Sequence, residues 1–99
     1  MQKINDRLLI YKSHGIDVAT FNKLFGRVLG KMRGTDDFDL TRTSQNVGLD
    51  RAFLYAVEKG EKGVSLFTLF RLASNSKLSA SEIVGLLEKE LSSEIEVQP

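Results

Sequence analysis

Residues 38–60 read FDLTRTSQNVGLDRAFLYAVEKG. Asp39 stands just before the apolar Leu40, where a short acidic side chain can accept a hydrogen bond from the free amides of a helix N-terminus. Phe38 precedes it in the position of a hydrophobic staple. The helix expected from Leu40 to Val47 stops at Gly48, a residue that tolerates positive φ. Asp50 then caps another short helix, with Phe53, Leu54 and Val57 as its apolar positions. Two helices of about two turns each, joined only by Gly48-Leu49 and a fresh cap, cannot lie side by side as a hairpin. The tight connection forces a steep crossing. The first helix braces the second and leaves the second's N-terminal turn free.

Working outward, Gly34 to Asp37 is a polar turn. Before it, Asp17 caps a helix to about Arg33, in which Phe21, Leu24, Phe25, Val28, Leu29 and Met32 recur at threes and fours as one buried stripe. Further upstream, Gln2 to Lys12 carries Ile4, Leu8 and Tyr11 at helical spacing, although Leu8-Leu9-Ile10-Tyr11 reads equally as a short strand. Ser13-His14-Gly15 is a stop signal. Downstream, Gly60 and Gly63 bracket a turn and Ser65 caps a fourth helix, with Leu66, Leu69, Phe70, Leu72 and Ala73 inward. Ser79 and Glu82 have capping-box spacing for a fifth, followed by Ile83, Leu86, Leu87 and Leu91. The expected fold is all-α, a compact five-helix domain with an N-terminal extension. Residues 1–20 form the extension, 21–92 the domain and 93–99 a polar, flexible tail.

Phe25-Gly26, Leu29, Met32 and Arg33, then the run from Phe38 to Gly48, then Leu49 to Gly60 closing on Val57-Glu58-Lys59-Gly60, keep one unbroken register with Ser65 to Ala73 and Leu78 to Ile83. This register resembles the Cro and phage-repressor-like (XRE) helix-turn-helix family over roughly two-thirds of the chain, from Phe25 to about Leu87. The resemblance implies a lambda-repressor-like fold, with Leu40–Val47 as the bracing helix and the helix after Asp50 as the recognition helix. It implies a sequence-specific, repressor-like transcriptional regulator that binds operator DNA as a homodimer. Leu40 stands where the family usually has a phosphate-contacting glutamine, Thr43 where it has a core leucine, Ser44 an alanine, Asp37 a glycine and Val64 a proline.

Carried over by position, Arg51 faces base edges, where an arginine can take guanine bidentately. Ala52 can touch a thymine methyl, and Tyr55, one turn after Arg51 on the same face, is the third base-contact candidate, able to stack, to hydrogen-bond a phosphate or to cover the core. Thr41, Arg42, Lys59 and Lys62 are the phosphate candidates, which position the domain without reading sequence. Arg33 and Glu58 occupy the positions of an internal ion pair between the first and third helices. Ile83, Leu86, Leu87 and Leu91, with the extension beside them or exchanged, are the expected dimer interface. The alternative is that the extension folds back and buries that stripe within the monomer.

Composition sets the outer limits. Ninety-nine residues make one domain's worth of chain, too short for a core plus a large catalytic cleft. Cysteine is absent, which excludes disulfides and thiolate metal sites and fits a reducing cytoplasm; the resemblance implies that this is a prokaryotic cytoplasm or that the chain is phage-encoded. No run is long and apolar enough to span a bilayer. The net charge is only +1. Positive charge runs through Lys23, Arg27, Lys31, Arg33, Arg42, Arg51, Lys59 and Lys62, and beyond Val64 three basic residues face five acidic ones. His14 sits alone in a turn, and Asp36, Asp37 and Asp39 do not match a calcium loop. There is no nucleophile–base pair, phosphate-cradling loop or metal cluster, so no enzymatic activity, cofactor, metal, membrane or small-molecule effector is expected. The competing expectation is a protein-interaction module on the same scaffold, such as an antitoxin or adaptor.

Overall fold

The computed structural model describes residues 16–35 and 38–97, the last three by their backbone. Among these residues the chain is all helix: α1 (Val18–Arg33), α2 (Leu40–Val47), α3 (Arg51–Glu58), α4 (Leu66–Ser74) and α5 (Ala80–Val97), with no strand. Short polar side chains set the helix starts. Asp17 accepts from the Thr20 amide, Asp39 from Thr41, Asp50 from Ala52 and Ser65 from Thr68. The amide of Ser79 donates to Glu82 while the Ser79 hydroxyl accepts from the Glu82 amide, a reciprocal capping box. At Asp17, the hydrogen bonds from Thr20 hold the carboxyl below its ordinary pKa, because the charged form is the acceptor.

The helix α1 is the spine. It packs against α3 and α5, while α2 packs on α3 and α4, and α4 on α5. Leu24, Val28 and Leu29 of α1 meet Leu54 and Val57 of α3, Leu72 of α4 and Ile83 and Leu91 of α5 in one core, all essentially without solvent exposure. Each such side chain stabilises the fold by about 1.5–3 kcal/mol. The α1–α3 contact is unusually close. A Cβ on Gly26 would lie 2.4 Å from the carbonyl oxygen of Glu58, so only glycine fits. Gly60, at φ +82°, holds the chain just past α3 against α1, where a Cβ would lie 2.8 Å from the Cα of Lys23.

Gly48, at φ +70°, turns its own amide and that of Leu49 back to the carbonyl of Ser44, which ends α2 and starts α3 within three residues. Polar groups then tie α2 to α4. Thr43 is fully buried and its hydroxyl accepts from the side-chain amide of Asn75 at 2.8 Å, while Asn75 accepts from Asn46 at 2.9 Å. Ser44 is also buried and donates to the carbonyl of Thr41 at 2.8 Å. Arg71 donates to the carbonyl of Val47, a cation placed at the negative end of α2.

Four expectations change. The stripe Ile83, Leu87 and Leu91, expected at a dimer interface, is buried in the protomer's own core and Leu86 is half-buried against it, because α5 supplies the surface that α1 needs. Leu66 and Phe70, expected inward, are 71% and 56% exposed, because α4 buries Leu69 and Leu72 instead. Phe21, at the start of the α1 stripe, is 39% exposed. The fifth helix continues through Val97, past the tail boundary expected at 93, whereas α1 begins at Val18, as the cap expected at Asp17 implies. Ile4, Leu8, Leu9, Tyr11, the turn at Ser13-His14-Gly15, and Asp36 and Asp37 lie outside the described residues.

Candidate nucleic-acid interface

At 100° per residue, α3 has a buried and an exposed side. Leu54 and Val57 are fully buried on one and Arg51 and Ala52 are exposed on the other, while Phe53 and Tyr55 are both half-buried and pack against the core. The cap fixes the start of this face, since the Asp50 carboxylate is spent on the Ala52 amide at 2.9 Å. That bond keeps its charge against the helix N-terminus, where the backbone dipole offsets it.

The end of α3 is fixed by Glu58. Its carboxylate accepts from Arg33 at 2.6 Å, with side-chain exposures of 21% for Glu58 and 46% for Arg33. The Arg33 guanidinium also lies 5.6 Å from the centroid of the Tyr55 ring. The expected α1–α3 pair is therefore formed, partly open to water. Tyr55 joins it through this ring contact and packs, half-buried, against the core.

The expected phosphate candidates separate by surroundings. Arg42, Lys59 and Lys62 are exposed and make no ion pair with a described residue. The backbone amide of Thr41 is occupied by Asp39, and its carbonyl by Ser44, which leaves its half-exposed hydroxyl. Leu40 is buried at the start of α2, so the position that resembles a phosphate-contacting glutamine belongs to the core here.

Pairing also sorts the basic residues. Arg27 lies 3.7 Å from both Glu90 and Glu94, Lys31 bonds Glu90, and Arg33 bonds Glu58. Carboxylates of α5 and α3 thus neutralise three cations of α1. The cations with no ion pair among the described residues, Arg42, Arg51, Lys59 and Lys62, fall on α2, α3 and the turn after it. A net charge near zero is compatible with a local excess of positive charge where α3 begins and ends.

Lys23, named in the run of positive charge, was not among the expected phosphate contacts. Gly60 seats on its backbone, so this exposed lysine joins Lys59 and Lys62 around one turn. The sequence carries no local sign of that contact, because Gly60 and Lys23 lie on distant stretches. Among the described residues no group of His, Cys, Asp and Glu could hold a metal ion, and no helix is long and apolar enough to cross a membrane. No family model and no curated protein matches the chain.

Proposed function

We propose that the chain is a sequence-specific, double-stranded DNA-binding transcriptional regulator of the Cro and phage-repressor-like helix-turn-helix type, acting in a prokaryotic cytoplasm as a pair of copies. In this reading α2 and α3 are the helix-turn-helix and α3 enters the major groove. The observation that carries it is the division of α3. Leu54 and Val57 anchor it on one side, and the other side presents Arg51, exposed and without an ion pair among the described residues, beside the exposed Ala52. Eight helical residues span about 12 Å, which matches the width of the major groove. Arg51 reads a base edge, Ala52 allows close approach, and Arg42, Lys59 and Lys62 hold phosphates on either side. Pairing answers the problem that one short helix reads too few base pairs for a unique site, with half-sites about 34–36 Å apart.

Binding to duplex DNA from upstream of the chain's own gene, against a scrambled duplex over a salt series, tests the reading. About six phosphates neutralised by a pair of copies give a slope near −5 in log K against log salt. Equal affinity for cognate and scrambled DNA, or no salt dependence, refutes it. A second reading, a protein-interaction module such as an antitoxin or adaptor, is favoured by one observation: Leu66, Phe67 and Phe70 stand exposed together on α4. An adaptor predicts no preference among duplexes, whereas an antitoxin can bind DNA as well.

A further inference from the structure

The helix α2 is held to α4 by polar contacts. Leu40 is its one buried apolar side chain, Val47 is half-buried, and its other two buried positions are Thr43 and Ser44. Thr43, Asn46 and Val47 lie three and four residues apart, on one side of α2, and Arg71 and Asn75 lie four apart on one side of α4. Three bonds run between these sides. The side-chain amide of Asn75 donates to the Thr43 hydroxyl, that of Asn46 donates to the Asn75 oxygen, and Arg71 donates to the Val47 carbonyl. The last bond abuts the turn, where a Cβ on Gly48 would lie 3.2 Å from an Arg71 guanidinium nitrogen. Thr43 has no solvent exposure, so Asn75 stands in for the water that its hydroxyl gives up.

We propose that Asn75 and Arg71 are positioning residues for DNA reading: they touch no DNA, and they set the register of α2 on α4 so that α2 and α3 meet one duplex together. The inference rests on the proposed function and deepens it. Hydrogen bonds are directional, and a satisfied polar seam selects one arrangement, where an apolar contact lets two helices slide or turn. A valine at 43 would fill the same space, so what the Thr43 hydroxyl contributes is alignment. Apart from their contact with each other, the two helices are held mainly from different directions, α3 by α1 at Gly26 and α2 by α4 at the seam. The helix α2 carries Thr41 and Arg42, and α3 carries Arg51, so the spacing between phosphate and base contacts depends on both attachments. Thr41 stands about 9 Å along the helix from Val47, and a swing of about 15° at the seam displaces it by about 2 Å, enough to break a hydrogen bond to a phosphate.

The test sets discrimination against stability. Thr43→Val/Asn75→Leu replaces both bonding partners by apolar side chains of similar shape, so the urea midpoint stays at or above the wild-type value. The ratio of affinities for cognate and scrambled duplex falls on the order of tenfold. Thr43→Ser keeps the hydroxyl and gives up a buried methyl, so it lowers the midpoint and keeps the ratio. Arg71→Met lowers the ratio in the same way, and Arg71→Lys, which can still donate to the Val47 carbonyl, restores most of it. A purely structural role gives the opposite ranking, with the serine variant the poorer discriminator; that result overturns the inference and leaves the proposed function standing. A measurement without DNA separates the two further. In the free wild type, residual dipolar couplings of the α2 amides fit one orientation against α1, and in the Thr43→Val/Asn75→Leu chain they shrink toward an average. Unchanged couplings in that variant overturn the seam as the source of alignment, whereas a wild type that fails to discriminate between duplexes overturns the proposed function and the role in reading with it.

Discussion

Replacing glycine by alanine at three helical positions turns the close α1–α3 approach into a measurable sign change. In a helix interior the substitution alone stabilises by about 1 kcal/mol, through propensity and the smaller entropy of the unfolded chain. At Gly85 a new Cβ meets nothing within 4 Å, and at Gly30 its nearest neighbour is a Glu58 carboxylate oxygen at 3.6 Å. Gly85→Ala therefore gains the full increment, and Gly30→Ala gains most of it. At Gly26 the Cβ would lie 2.4 Å from the carbonyl oxygen of Glu58 and 2.9 Å from that of Val57, both backbone atoms. Reaching van der Waals distance requires α1 and α3 to separate by about 1 Å. Overpacking of this kind costs typically 1–3 kcal/mol and more where backbone must move. The separation also loosens the packing of Leu24, Val28, Leu54 and Val57, so the net expectation is a loss of about 1–3 kcal/mol. Urea unfolding of the three variants, with unchanged m-values, reads the effects directly. If Gly26→Ala is as stable as Gly85→Ala, the two helices do not approach as described, and the account of how α3 is held fails.

Arg51→Ala should cost about 1–3 kcal/mol on the cognate duplex and relax the choice at one base pair per half-site, whereas Lys62→Ala should weaken every sequence alike and lower the salt slope by about one per phosphate lost. An unchanged cognate-to-scrambled ratio for Arg51→Ala removes that residue from base reading. The Arg33–Glu58 pair, half open to solvent, should give a coupling of about 1 kcal/mol in a double-mutant cycle of Arg33→Met and Glu58→Gln. Strict additivity would refute the pair, and a coupling of about 3–5 kcal/mol would mean that it is buried more deeply than described. Asp17 should titrate below an ordinary carboxylate in an NMR pH series. Its depressed pKa means the contribution is complete above the unfolded-state value and is lost as pH falls through the folded one, so Asp17→Asn should flatten the acid limb of the stability curve.

Helix starts were legible because their signals are local. Asp17, Asp39, Asp50, Ser65 and the Ser79–Glu82 pair each act on amides within three residues, and the structure uses every one. Gly48 was legible for the same reason. Facing was harder. In α4, Leu66, Phe67, Leu69, Phe70, Leu72 and Ala73 surround most of the helix, so periodicity alone does not select the buried side. Its neighbours select it, and they take Leu69 and Leu72. The stripe on α5 was expected at a dimer interface because nothing local in it shows that α1 needs Ile83 and Leu91 to complete the protomer's own core. Contacts such as Asn75 with Thr43, Arg71 with Val47 and Lys31 with Glu90 join distant stretches and leave no local trace. At the candidate site, the outward face of α3 could be read from spacing, while the removal of Arg27 and Lys31 by α5 carboxylates could not.

The partition of α3 has a consequence for how such a chain can change over time. The residues that hold the helix, Leu54, Val57 and Glu58, share no position with those it displays, Arg51 and Ala52. Surface substitutions with no packing or hydrogen-bonding role usually alter stability by less than about 0.5 kcal/mol. The display can therefore be rewritten one letter at a time without spending the fold's margin, and copies of the gene can diverge in what they touch while keeping one scaffold. A library randomised at Arg51 and Ala52 should stay folded almost throughout, whereas one randomised at Leu54 and Val57 should collapse to a few apolar survivors.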